Sequence, residues 1–342
     1  MTMDSRRYFT LFACCKLVKG AKRSIICDLQ RNDFIFVPNF FFDLLQKDEN
    51  EIDLTQLPEH IWESTTPDDF ENLITSCVNK EYAFFTDDPS SFPSLSLKDL
   101  SNIRISNAIV DIDEKCAINF PFLAKELTFL GCSTMLLRFH FPIEYGHITD
   151  LLKPFLNSTI RSIELHIPYS SQIDTKEKII ELAYSNNRIK GIIVHSTGSI
   201  NQVIEEKKFE VMYTEEILTM ENCCGKVSPY YFRSNPTFFF ESQKNNSCLN
   251  KKISIDVNGH VKNCPSMKEG FGKYSEENNL MTIIEKNNFT KIWSITKDMV
   301  EVCKDCEFRY ICTDCRAITK EDSLYSKPKS CSYNPYEAVW EN

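Results

Sequence analysis

Apolar and polar positions recur in a fixed order through residues 103–245. Strand-like runs at ISNAIVDID, STMLLRFHF, SIELHIPY, GIIVHS and FEVMYT are separated by helically spaced segments at Phe122 to Leu130, Ile148 to Leu156, Lys176 to Tyr184 and Ile200 to Lys207. The strand runs are nearly continuous in apolar residues, as expected of strands covered on both faces. Strand then helix, repeated four times with short connections, predicts parallel strands joined by right-handed crossovers. The expected class is α/β, with an open or partial (β/α) barrel over these residues.

Residues 1–90 read as a smaller α+β module. Tyr8 to Val18 and Arg23 to Val37 are strand-like, the second broken by a Gln30-Arg31-Asn32-Asp33 turn, and a short helix runs through Phe41, Leu44 and Leu45. Thr66 is an N-cap and Pro67 the first helical position of a helix whose apolar residues Phe70, Leu73, Ile74, Cys77 and Val78 share one face. YAFFTDD closes the module as a strand. PSSFPSLSLKDLSN, residues 89–102, has the Pro and Ser content of a linker. Cys14, Cys15 and Cys27 read as small buried hydrophobes.

Residues 246–342 form a third region, dominated by thiols. Of the chain's 15 cysteines, Cys248, Cys264, Cys303, Cys306, Cys312, Cys315 and Cys331 lie here, and CKDCEFRYICTDCRA places four within thirteen residues. A C-x2-C pair grips a metal centre from one tight turn. Zinc ribbons usually separate two such pairs by a dozen residues or more, and here the gap is five, which shifts weight from zinc to iron–sulfur clusters. Upstream, Ile253, Ile255 and Val257 alternate into an Asn258-Gly259 turn and Val261 resumes the strand, so a β-hairpin brings Cys248 and Cys264 towards one region. Helical segments follow between Leu280 and Ile295, with Trp293 as their anchor.

The resulting pattern, C-x10-G-x4-C, then C-x2-C-x5-C-x2-C, then C, closely resembles the SPASM domain of radical-SAM peptide maturases. Together with CEFRYICTDCRA, YSKPKSCSYNPYEAVW and the N-terminal FACCKLVKGAKRSIICDLQRNDFIFVPN, it resembles the SPASM-domain peptide maturase of grasp-with-spasm systems. The resemblance implies two auxiliary clusters of the [4Fe–4S] type: Cys303, Cys306, Cys312 and Cys331 hold one, and Cys248, Cys264 and Cys315 the other. The last pair is C-x2-C where such domains often have C-x3-C, and Cys224 in CCGKVSP is a candidate fourth thiolate for the second cluster. The resemblance further implies a ribosomal precursor peptide and an ATP-grasp ligase as partners, a radical-SAM-type partial barrel, and a winged-helix-like N-terminal module that takes a leader peptide on a sheet edge. The alternative for that module is a strand layer that packs on the next domain.

One expected motif is missing. No C-x3-C-x2-C triplet occurs, and after VDID the chain offers only Cys116 and then Cys132. A cluster with an open iron site for S-adenosylmethionine is therefore not expected. His140, His166 and His195 each fall near a strand end, where ligand sites lie in parallel barrels; they could bind a metal or carry protons, or be unrelated residues bonded to loops. Asp111 and Asp113 share one strand face, and Arg138 with Glu164 could form an ion pair between neighbouring strands.

Composition adds bounds. With 342 residues, 42% hydrophobic and 25% charged, a sizeable core and two or three domains are expected. A formal charge of −9 argues against a nucleic-acid partner. No run approaches a membrane span and no secretory signal is visible, so a cytoplasmic location with reduced thiols is expected. Alternative functions are a zinc-stabilised peptide-presenting adaptor and a SAM-independent redox enzyme acting on the peptide.

Overall fold

The computed structural model describes residues 7–47, 50–93, 95, 103–170, 175–219, 224–286 and 288–341. The chain divides into two compact units, one of Met1–Asp99, Lys226–Ser247 and Ile295–Asn342, the other of Leu100–Gly225 and Cys248–Ser294.

The second unit is a mixed α/β layer around an eight-stranded sheet. Its strands run in the order Gln202–Glu205, Glu210–Tyr213, Ile189–His195, Ser162–Pro168, Thr134–Phe139, Asn107–Ile112, Lys252–Ile255, Val261–Lys262. The inner pairings are parallel, and only the two outermost strands pair antiparallel. Helices Phe120–Phe129, Tyr145–Leu152 and Lys176–Ser185 form the crossovers. Side-chain caps start two of them: Asn119 accepts from the Phe122 amide and Thr175 from the Lys178 amide. Val110, Ile112, Leu137, Phe139, Leu165, Ile167 and Val194 point from one sheet face into a core with Leu123, Leu127, Ile148 and Ile179. The opposite face carries Asp111, Arg138, Glu164, His166 and His195, because side chains alternate along each strand.

The predicted helix over Ile200 to Lys207 is instead the strand Gln202–Glu205, antiparallel to Glu210–Tyr213. The charged Glu205-Glu206-Lys207-Lys208 run favours a helix locally, but residues 206–209 make the turn that lets Val203 and Ile204 pair at the sheet edge. The pairing of Lys252–Ile255 alongside Asn107–Ile112 joins segments far apart in sequence, and no local pattern announces it.

The first unit holds two antiparallel three-stranded sheets. Glu51–Asp53, Tyr8–Leu11 and Ala83–Thr86 form one, and Cys15–Lys19, Ser24–Asp28 and Asp33–Val37 the other. The predicted strand Tyr8 to Val18 is thus two strands in different sheets, redirected by a turn in which the Cys15 amide donates to the Phe12 carbonyl. Helices Asn39–Lys47 and Pro67–Asn79 cover a core of Phe9, Phe41, Leu45, Phe70, Ile74 and Tyr82. Thr66 caps the second helix as predicted, its Oγ1 accepting from the Asp69 amide. Of the predicted linker, residues 94 and 96–102 lie outside the described residues.

A separate core in this unit joins Val18, Ile25, Cys27 and Leu29 to Phe232, Phe239, Phe308, Ile311, Cys312 and Tyr333. Phe232 and Phe239 of the aromatic SPYYFRSNPTFFF stretch are therefore core residues, whereas Tyr230 is exposed. Polar ties reinforce the core: the Ala21 amide donates to the Asp305 carbonyl, and Arg23 pairs with the fully buried Glu307 at 2.9 Å. Gly20 sits at this junction, where a β-carbon would lie 2.6 Å from the Arg23 carbonyl oxygen and 2.9 Å from the Glu307 amide nitrogen. Backbone atoms cannot move aside cheaply. Gly20→Ala is expected to lower unfolding free energy by about 1–3 kcal/mol, read as a lower urea midpoint; an unchanged midpoint would show that the turn relaxes freely.

Candidate metal centres

The first unit holds Cys303, Cys306, Cys312 and Cys331, which influence one another electrostatically but do not form a set with ligand atoms within 4.8 Å of one another among the described residues. A single 3-10 turn, Cys303–Asp305, starts the set, and the Cys306 amide donates to the Cys303 carbonyl at 3.0 Å. The preceding Val302 has φ +66°, a costly conformation for a β-branched residue that the surrounding contacts hold in place. The Cys312 amide donates to the Phe308 carbonyl at 2.9 Å, folding the second pair back towards the first. Cys306 and Cys331 pack against the core that contains Cys312. Burial raises the thiol of Cys303 to about 12 and that of Cys306 well above the usual range, with neighbouring thiols adding to both. Burial likewise raises Cys312, and Cys331 adds to it.

Charged groups crowd these thiols. Lys297 is buried, its Nζ donating to the carbonyls of Cys312 and Thr313 at 2.6 and 2.8 Å. Burial alone would lower its pKa, but the influence of Cys312, Asp314 and Cys303 outweighs that and raises it. Arg316 and Asp314 are buried beside it, 2.7 Å apart, and Asn246 Nδ2 donates to Asp314 Oδ2 at 2.7 Å. Arg316 Nη1 donates to the carbonyls of Leu324 and Ser326, while its Nε and Nη2 are buried donors without an aligned acceptor. The 2.7 Å approach to Asp314 is thus a charge contact without hydrogen-bond geometry.

The second unit collects Cys248, Cys264 and Cys224. The hairpin Lys252–Ile255 and Val261–Lys262 turns at Gly259, φ +80°, with Asp256 Oδ1 accepting from the amides of Asn258 and His260. The predicted turn thereby brings the two flanking cysteines into one neighbourhood. A hydrogen bond with Cys224 is the largest influence raising the Cys264 thiol, followed by burial and the proximity of Cys248. Lys252 Nζ donates to Cys248 Sγ at 3.5 Å. Its burial is outweighed by the attraction of Cys248, Cys264 and Cys224, which raises its pKa. Trp293 anchors the neighbouring segment, its Nε1 donating to Asn263 Oδ1 at 2.8 Å.

Cys315 is buried in the first unit, while Cys248 and Cys264 belong to the second. A further donor set lies elsewhere: the ligand atoms of Cys14, Cys15 and Asp28 fall within 4.8 Å of one another. Asp28 is already committed, accepting from the amides of Gln30 and Arg31 and from Arg31 Nε. That carboxylate shapes a turn, and Cys15 remains a buried thiol whose pKa burial raises.

Sequence reasoning identified the thiols but missed their cations. Lys252 follows Cys248 by four residues, Lys297 precedes Cys303 by six, and Asp314 and Arg316 flank Cys315. Charges interleaved among cysteines were the available signal.

Both sets offer soft donors next to positive charge, buried at Lys297 and half-buried at Lys252, which suits a metal centre with net negative charge. Among the described residues no helix is long and apolar enough to cross a membrane. No family model matches the chain, and no curated protein matches it. Among solved structures, the crystal structure of Streptococcus suis SuiB is similar at 11% identity and a TM-score of 0.30, covering 90% of this chain and 96% of that one; a likeness of this degree carries no argument about function.

Proposed function

We propose that this chain is a peptide-maturation protein that carries two iron–sulfur clusters and binds a ribosomally made precursor peptide for an ATP-grasp ligase. Cys303, Cys306, Cys312 and Cys331 would hold one cluster. Cys248 and Cys264, with Cys224, would hold the other. In this reading the eight-stranded sheet is a degenerate radical-SAM-type partial barrel, residues 246–342 carry the SPASM ligands, and the N-terminal module is the winged-helix-like element that receives the peptide in the cytoplasm. Asp33–Val37 is an outer strand of its sheet and Phe36 on it is exposed, which suits main-chain addition of an extended peptide.

The observation that carries the cluster reading is the charge balance at the first thiol set. Arg316 is paired with Asp314 and Arg23 with the buried Glu307, so that among the described residues Lys297 is a buried ammonium beside this set with no carboxylate ion-pair partner. A buried excess charge is costly, and a thiolate-held cluster of net negative charge would offset it. Orphaned donors on Arg316 would find acceptors in such a centre. When bound, a cluster supplies one-electron transfer or a rigid staple for the lobe; the protein's own part is to hold the thiolates, exclude water with Tyr333 and Phe308, and fix the charge with Lys297.

Lys297→Met tests this reading. If Lys297 balances an anionic cluster, the variant is expected to lose most of the iron and sulfide of one cluster on anaerobic purification. If the thiols are ordinary core cysteines, removing a buried ammonium leaves metal content unchanged and stability equal or higher, and the proposal fails.

A further inference from the structure

The polar face of the parallel sheet carries a second constellation, unrelated to the cysteines. His140, His166 and His195 stand at the carboxyl ends of three adjacent strands, Thr134–Phe139, Ser162–Pro168 and Ile189–His195. Open α/β sheets place their ligands at those ends. Register fixes the neighbourhood: Arg138 is paired with His166, and His166 with Ile193, two residues before His195.

Each imidazole is tethered through one nitrogen to an oxygen. His140 Nε2 lies 3.0 Å from Asp111 Oδ1, His166 Nε2 lies 2.9 Å from Glu164 Oε1, and His195 Nδ1 lies 3.0 Å from Ser196 Oγ. The Glu164 carboxylate orients His166 and leaves that ring's other nitrogen as a donor lone pair, whereas at His195 the serine hydroxyl can accept from or donate to Nδ1. For His166, which is 7% exposed, that nitrogen is Nδ1, and it is buried with no hydrogen-bond partner. A buried imidazole nitrogen left without a partner costs free energy that a ligand would recover. Asp111 in turn is held by Arg138, so the tether on His140 is itself positioned.

We propose that His140, His166 and His195 form a three-imidazole site for one divalent transition-metal ion of the zinc and cobalt class. Neutral imidazole suits those ions, and the carboxylate and hydroxyl tethers are the outer support such ligands commonly have. Unlike Cys14, Cys15 and Asp28, the three rings are not within 4.8 Å of one another among the described residues. The ion would draw them together, the side chain of His140, 21% exposed, turning out of its contact with Asp111. This site is independent of the clusters proposed above.

Cobalt(II) alone is the probe, added anaerobically to the full chain as purified, its thiols still holding their clusters, and read as the difference spectrum against cobalt-free protein. One Co2+ per chain is expected with visible ligand-field bands and no near-ultraviolet sulfur-to-cobalt charge transfer. That signal should vanish in His166→Ala and His195→Ala and persist in Cys312→Ala. Glu164→Gln, at a half-exposed position that does not threaten folding, should weaken cobalt binding roughly tenfold. Cobalt bands that always carry thiolate charge transfer, or binding unchanged in His166→Ala and Glu164→Gln, would overturn the proposal.

Discussion

Asp111→Ala is expected to destabilise the protein by about 3–5 kcal/mol. Asp111 is fully buried, and its two oxygens receive Arg138 Nε and Nη2 at 2.6 and 2.7 Å. Removing the carboxylate takes from the guanidinium of Arg138, only 4% exposed, its ion-pair partner inside the sheet. The control is the double variant Asp111→Ala with Arg138→Met, which removes both charges and should recover most of the loss. Urea midpoints of the three proteins decide it. A single variant as stable as the parent, or a double variant no better than the single, would mean that the pair is not desolvated as described. The same pair sets a pH dependence. Burial pushes the Asp111 pKa up, but hydrogen bonds from His140 and Arg138 outweigh it and hold it below the ordinary value. The stabilisation is therefore complete above the unfolded pKa of about 3.9 and is lost as pH falls further, through the folded value.

Phe308→Ala should cost a similar amount, about 3–5 kcal/mol. Phe308 is 3% exposed, and its ring meets Phe34, Phe232 and Tyr333 with centroids 5.5, 4.9 and 5.0 Å away. Those partners come from the N-terminal strands, the aromatic stretch and the C-terminal tail, so truncation opens a cavity where all three converge. The Phe308 carbonyl also accepts from the Cys312 amide, so the cavity lies directly behind the thiol set. Phe308→Leu keeps most of the volume and should be tolerated much better. Equal midpoints for the alanine and leucine variants would show that packing at this ring does not hold the unit together.

Much of the sheet was legible because its strands are covered on both faces and read as uninterrupted apolar runs such as AIV and MLL. The helix at Pro67–Asn79 was legible because Thr66, Pro67 and the apolar stripe agree with one another. Long-range pairing was not. Nothing in KISI says that it lies beside NAIVDI, since strand partners are chosen by tertiary packing. The edge strand Gln202–Glu205 was hidden for the same reason, its charged neighbours carrying a local helical preference that pairing overrides. At the thiols, spacing announced the donors, and the Asn258-Gly259 turn announced how Cys248 meets Cys264. Lys252 and Lys297 escaped because a lysine looks solvated until burial is known. The histidines were visible as a set at strand ends, but their oxygen tethers required coordinates.

The central claim is that the two thiol sets hold two separate iron–sulfur clusters. Iron, zinc and acid-labile sulfide should be measured on anaerobically purified full-length protein and on Cys312→Ala and Cys248→Ala. The account predicts about eight iron and eight sulfide per chain for the parent, with each variant losing one cluster's share and keeping the other. Absence of sulfide, with zinc that disappears in Cys312→Ala, would contradict it.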